Sequence, residues 1–291
     1  MTRIILFLAT NFAVMIVFGI VVRLFGIDQM VGMPGQMTQL LVFAALFGFA
    51  GSFISLAMSK MMAKRSMGVQ IIEQPANETE RWLVQTVQQQ AQAAGIGMPE
   101  VGVFHSATPN AFATGMNKNA ALVAVSTGLL ENMNKNEVEA VLGHEVSHVA
   151  NGDMVTMGLI QGVLNTFVIF FARVLGMLID RGMNRDGNGH GMGYWIGSIA
   201  GEIVFGILAS IIAAWFSRQR EFRADRGGAQ LSSTSNMIGA LRALQRVSHP
   251  EGLPDKMAAF GILGGGKLSQ LMATHPPLET RIEALQRGND G

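Results

Sequence analysis

His144-Glu145-Val146-Ser147-His148, continuing as Val149-Ala150-Asn151-Gly152-Asp153, sets two imidazoles four residues apart with a carboxylate between them. On an α-helix such positions share a face, so both rings can reach one metal ion at about 2.0 to 2.1 Å. The intervening Glu145 is then placed to take a proton from a zinc-activated water and to deliver it to a leaving amine. The segment lies in a helix expected from about Asn136 to Ala150, whose apolar positions are Val138, Val141, Leu142 and Val149. Asn151-Gly152-Asp153 interrupts that pattern.

A catalytic zinc site takes three protein ligands and keeps one position open. The chain has no cysteine, so a metal must be held by His, Asp or Glu. Glu221-Phe222-Arg223-Ala224-Asp225 offers two carboxylates at helical spacing: Glu221 to bind the ion, Asp225 to accept an N–H from a ligating histidine and fix its tautomer. His190 stands in a glycine-rich loop, and His105 and His249 have no supporting pattern. One Zn²⁺ per chain, held by His144, His148 and Glu221, is the resulting expectation.

With 49% hydrophobic and 14% charged residues, the 291-residue chain is too apolar for an ordinary soluble domain. A formal charge of +1 argues against a nucleic-acid partner. Four stretches are long enough to cross a hydrocarbon core about 30 Å thick: Ile4 to Phe25, Gln29 to Ser59, Met154 to Ala172 and Gly191 to Ser217. The first is long and lacks a small-x-small cleavage site, and reads as a retained anchor. The expected organisation is a pair of transmembrane helices in 1–59, a first part of a protease domain in 60–153, a second pair in 154–217 and the remainder of that domain in 218–291. Ligands on both sides of the second pair can share an ion only if the chain crosses an even number of times between them. If the globular parts and the N-terminus share a side, that side collects Arg3, Lys60, Lys64, Arg65, Arg218, Arg220, Arg223 and Arg226, against Arg23, Arg173, Arg181 and Arg185 opposite. Positive charge favours the cytoplasm for the heavier set.

Within 60–153, Asn77-Glu78-Thr79-Glu80 caps a helix closed by Gly95. Three strands are expected at Val101 to His105, Asn110 to Thr114 and Ala120 to Ser126. A further helix runs through Ile238, Leu241, Leu244 and Val247, Gly261 to Gly266 marks a link, and Pro276-Pro277 opens a last helix whose Arg281 and Arg287 face solvent or the site. Glu202 lies inside the fourth span and calls for a function or a polar partner, Gln161 or Asn165.

The ordered set of two N-terminal spans, the His144–Asp153 stretch, two more spans and Glu221–Asp225 resembles the HtpX-type membrane zinc metalloproteases of peptidase family M48, the gluzincins, over essentially the whole length. The resemblance implies a multi-pass α-helical membrane protein with a cytoplasmic α+β protease domain. It implies an endopeptidase of the bacterial inner membrane in stress-induced quality control, acting on misfolded or damaged membrane proteins and unfolded chains. It assigns His144, His148 and Glu221 as ligands and Glu145 as the catalytic residue. Asn110-Ala111-Phe112 is similar to the cleft strand that pairs with substrate backbone, or is an ordinary sheet strand. Thr274-His275-Pro276-Pro277 is similar to the family's C-terminal signature, where His275 either donates to a developing oxyanion or is left exposed beside a helix start. Two other readings are a noncatalytic zinc-binding membrane scaffold, which has no need of Glu145, and a prenyl-protein endopeptidase-like enzyme, which has more spans.

Overall fold

The computed structural model describes residues 36–183, 191–248 and 271–288, with the isolated positions Ile16, Ile20 and Leu24. The first expected span otherwise lies outside the described residues, as do His190, His249 and the Gly261 to Gly266 link. The elements run α1 (Gln36–Ser66), β1 (Gln70–Ile71), α2 (Glu78–Ala93), β2 (Glu100–Phe104), β3 (Ala111–Thr114), β4 (Leu122–Ser126), α3 (Thr127–Asn132), α4 (Lys135–Asn151), α5 (Asp153–Met183), α6 (Met192–Leu231), α7 (Thr234–Ser248) and α8 (Leu278–Arg287). The chain divides into two compact units, one of 1–55 with 158–213, the other of 56–157 with 214–291.

In the first unit, α1, α5 and α6 are each long and apolar enough to cross a membrane. They pack through small residues, which let backbones approach where lipid removes the usual hydrophobic incentive. A Cβ on Gly48 would lie 2.6 Å from Thr166 Oγ1, and one on Gly201 would lie 2.8 Å from the Cα of Ala172. Met37, Leu41, Ala44, Phe170 and Val174 fill the α1–α5 seam. Asp180 accepts from the backbone of Gly191 at 2.9 Å and Tyr194 at 3.2 Å, satisfying N–H groups at the start of α6.

Glu202 pairs with Arg173 Nη1 at 3.0 Å, rather than with Gln161 or Asn165. Gln161 donates to Asn165 at 2.8 Å instead, and Asn165 reaches Ser52 on α1 at 3.4 Å. The reason is level. Contacts of Gly176 with Ser198 and of Ala172 with Gly201 make α5 and α6 antiparallel here, so residue 202 faces residue 173. Residue 165 is roughly 12 Å further along at 1.5 Å per residue.

The second unit carries a four-stranded sheet in the order β1-β2-β4-β3. β2 and β4 are parallel, with Val101 opposite Val123; β3 pairs antiparallel to β4, with Ala111 opposite Val125. Every residue of β4 is buried, as expected of a central strand covered on both faces. One face packs Val101, Val123 and Val125 against Leu83 and Val87 of α2, Val138, Leu142 and Val146 of α4, Leu241 of α7 and Leu285 of α8. Asn77 caps α2 as expected, its Oδ1 accepting from Glu80 N at 2.8 Å. α4 begins at a reciprocal capping box between Asn134 and Glu137 and ends at Gly152, whose φ of 70° suits a residue without a Cβ. The strand expectations hold to within two residues; the two-residue β1 and the six-residue α3 carry too little pattern to be read.

Candidate metal centre

Two helices build the site, and glycine lets them meet. A Cβ on Gly228 of α6 would sit 2.9 Å from the backbone N of His144, and one on Gly227 would sit 2.3 Å from Ser147 Oγ. The backbones of α4 and α6 therefore touch beside the histidines, which shortens the reach from His144 and His148 to Glu221. Gly228→Val is expected to cost about 1 to 3 kcal/mol of stability by overpacking and to weaken metal binding with it, read by denaturant melts and metal titration. Unchanged affinity would contradict the role given to this crossing.

His144 Nε2 and His148 Nε2 stand 3.1 Å apart. Glu221 turns Oε1 to His148 Nε2 at 3.3 Å and Oε2 to His144 Nε2 at 3.6 Å. One ligand atom from each of the three residues lies within 4.8 Å of the others. Ligands about 2.05 Å from a tetrahedral ion are themselves roughly 3.3 Å apart, so this nitrogen–nitrogen–oxygen set fits a divalent metal in both chemistry and spacing.

Both imidazoles are aimed by carboxylates on their other nitrogen. His148 Nδ1 meets Asp153 Oδ2 at 2.7 Å. His144 Nδ1 lies 3.0 Å from Asp225 Oδ1, a contact not aligned for a full hydrogen bond. Asp153, the first residue of α5, escaped the sequence reading; its signal was the Asn-Gly-Asp that ends the motif helix five residues after His148. Arg281 of α8, left open between solvent and the site in the sequence, turns to the site, and its carboxylate partners were not foreseen. It is 5% exposed, its Nε and Nη2 donate to Asp225 at 2.8 and 2.6 Å, and its Nη1 lies 3.4 Å from Glu221 Oε2.

The electrostatics favour positive charge at this point. Burial alone would strip His148 of its proton, yet Asp153 and Glu221 outweigh burial and hold its pKa up to about 9. His144 is raised against the same burial by Asp225 and Glu221. A bound cation would exploit the same field.

Beside the cluster opens a cavity of about 1110 Å³ lined by His144, Glu145, Glu221, Arg281, Asn110 and Ala111, with an apolar wall that includes Leu129, Val141 and Leu241. Glu145 is half-buried at its edge. Asn110 and Ala111 thus reach the cavity, whereas Phe112 packs on Phe104 at 5.5 Å between ring centres, on the sheet's other face. His275 also lines the cavity, its Nδ1 2.8 Å from Glu221 Oε2. Arg218 holds the segment before it by donating to Leu271 O at 3.0 Å and Ala273 O at 2.7 Å.

Residues 77–288 match the model of peptidase family M48. The chain is similar to Protease HtpX of Thioalkalivibrio sulfidiphilus, 62% identical over 98% of this chain and 99% of that one, and to the Protease HtpX homolog of Thiobacillus denitrificans, 61% identical over 98% and 99%. Its fold is similar to that of S. mikatae Ste24p in a crystal structure, with a TM-score of 0.62 at 19% identity, covering 98% of this chain and 65% of that one. A domain match over most of the chain, joined to end-to-end similarity with named proteases and to helices of membrane-spanning length, makes this protein a member of peptidase family M48 and a membrane metalloendopeptidase.

Proposed function

We propose that the protein hydrolyses peptide bonds of misfolded or damaged membrane proteins with one Zn²⁺ held by His144, His148 and Glu221, and with Glu145 as general base and then general acid. The observation that carries this reading is the convergence of three buried donors from two helices beside a half-buried Glu145 in an open cavity. A divalent ion there supplies Lewis-acid activation of water and of the scissile carbonyl. Glu145 accepts the proton released in the attack and returns it to the leaving nitrogen. Asp225 and Asp153 hold the imidazoles in the tautomer that turns Nε2 inward. His275, against Glu221 and lining the cavity, is the donor proposed for the developing oxyanion.

Substrate is bound as an added strand on β3. That strand ends the sheet order on this side, and Asn110 and Ala111 at its start line the cavity. Main-chain pairing accepts many sequences, as a quality-control protease requires. Four spans, with 1–59 and 154–217 in the bilayer and 60–153 with 218–291 as the protease domain, are supported by the three span-length helices and by α5 leaving and α6 re-entering the unit that holds the ligands. A cytoplasmic position of that domain at a bacterial inner membrane is supported by the eight basic residues on its side of the spans, Arg3, Lys60, Lys64, Arg65, Arg218, Arg220, Arg223 and Arg226, against four opposite.

The test is metal analysis joined to proteolysis in detergent. Purified protein should carry stoichiometric zinc and cleave casein, lose both on treatment with a strong chelator, and regain both with added zinc. Cleavage that survives complete metal removal would end this reading.

A further inference from the structure

The apolar run of α1 stops at Ser59, and Lys60 is the first charge on that helix after Gln36. On a membrane span such a switch marks the passage from hydrocarbon to headgroups. Lys60 does not reach into open water. Its Nζ donates to the carbonyl of Ala120 at 2.8 Å and lies 3.1 Å from Glu100 Oε1, and Lys64 pairs with the same carboxylate. A lysine stem spans roughly 6 Å, so the connection between β3 and β4, residues 115–120, sits close to the level at which α1 leaves the apolar core.

That connection is built as a firm turn. Ala120 N donates to Asn117 O at 3.0 Å and Asn119 N to Asn117 Oδ1 at 2.9 Å. Asn119 Oδ1 accepts from Gly97 N at 2.9 Å, tying in the loop ahead of β2. Beside the exposed amides of Asn117 and Asn119, these two loops present Met116 and Met98, each 43% exposed, and Lys118, with Met61, Met62 and Arg65 exposed on the adjoining turns of α1. Single exposed methionines on a soluble surface mean nothing. Flexible thioether side chains flanked by lysine and arginine, stapled beside the end of a span, match the acyl–headgroup boundary of an anionic bilayer.

We infer that the β3–β4 turn, with the Met98 loop beside it, is a lipid-contacting element that rests in the membrane interface. It holds the Thr114 end of β3 near the bilayer surface, so that a chain paired with β3 has one end at the interface. Substrates are then polypeptide segments emerging from the bilayer. This last step rests on the proposed use of β3 as the substrate strand; the membrane contact itself does not.

The chain has no cysteine, so Met116→Cys, Met98→Cys and Met62→Cys each give a unique site for a nitroxide in the full-length protein. The labelled variants go into vesicles of phosphatidylethanolamine and phosphatidylglycerol, and spin relaxation by oxygen is compared with that by a water-soluble nickel chelate. The expected oxygen-to-nickel ratio at 116 and at 98 is within about twofold of that at 62 and several-fold above that of the same label on a soluble peptide. An interfacial ratio at 62 with water-like ratios at 116 and 98 overturns the inference. A water-like ratio at 62 as well overturns it together with the span boundary at Lys60. No substrate enters the measurement, so failure of the β3 reading is scored separately, by cleavage.

Discussion

Glu145→Gln is expected to lower peptide-bond cleavage by roughly 10² to 10⁴-fold while leaving metal content unchanged. Glutamine keeps the size of the side chain and loses only the capacity to take and return a proton. Glu145 is not one of the three converging donors, and it stands at the cavity edge, not within the contact between the imidazoles and Glu221. The ligand set should therefore survive the change. Full-length variant should persist on storage in detergent where self-cleavage is expected to shorten the wild type, and casein should stay intact beside it. Glu145→Asp should fall between the two, because withdrawing the carboxylate by one methylene moves it by about 1 Å or more, a shift able to cost about a hundredfold. Zinc measured by mass spectrometry on the same samples separates chemistry from metal loss. A Gln variant that cleaves at the wild-type rate would mean that the proton passes through another group. Loss of zinc along with activity would mean that Glu145 supports the site structurally.

The parts of this centre that could be read from sequence are those whose geometry is local. His144 and His148 share a face because a helix repeats every 3.6 residues, and Glu221 and Asp225 do so for the same reason. Pairing the two helices needed only the scarcity of other donors and the even number of crossings between them. Asp153 and Arg281 were not legible in the same way. Asp153 follows a left-handed residue, Gly152, which turns the chain between α4 and α5 and folds the carboxylate back toward His148; no helical periodicity runs across such a break. Arg281 stands 56 residues beyond Asp225 on another helix. Its position follows from tertiary packing, of Leu278, Ile282 and Leu285 into the core and of Glu279 against Gln245, which sequence spacing does not encode. The partner of Glu202 was misjudged because periodicity tells which residues share a face, not which turn of one helix stands level with which turn of the next.

Arg281→Met is expected to destabilise the protein by about 3 to 5 kcal/mol and to weaken zinc binding by roughly 10- to 100-fold, although no atom of Arg281 is a ligand. Methionine retains the bulk and removes the charge, leaving Asp225 and Glu221 buried without their common partner. The two losses have separate causes. Stability falls because buried Asp225 loses its two charge-assisted hydrogen bonds and keeps only the poorly aligned contact with His144. Affinity falls because Asp225, no longer held by Nε and Nη2, stops fixing the face it turns to His144. Arg281→Lys keeps the charge but not the planar fork, and should restore much of the stability and less of the affinity. Adding Asp225→Asn to Arg281→Met should cost less than the sum of the single changes, since the carboxylate left stranded is then gone. Denaturant melts of the metal-free protein and competition titrations with a zinc chelator measure the two quantities independently. Additive losses in that cycle would show that Arg281 acts through the packing of α8 alone. The expected coupling instead makes docking of the last helix a condition for a competent metal centre, because the guanidinium that neutralises the pair arrives only when Ile282 and Leu285 have entered the core.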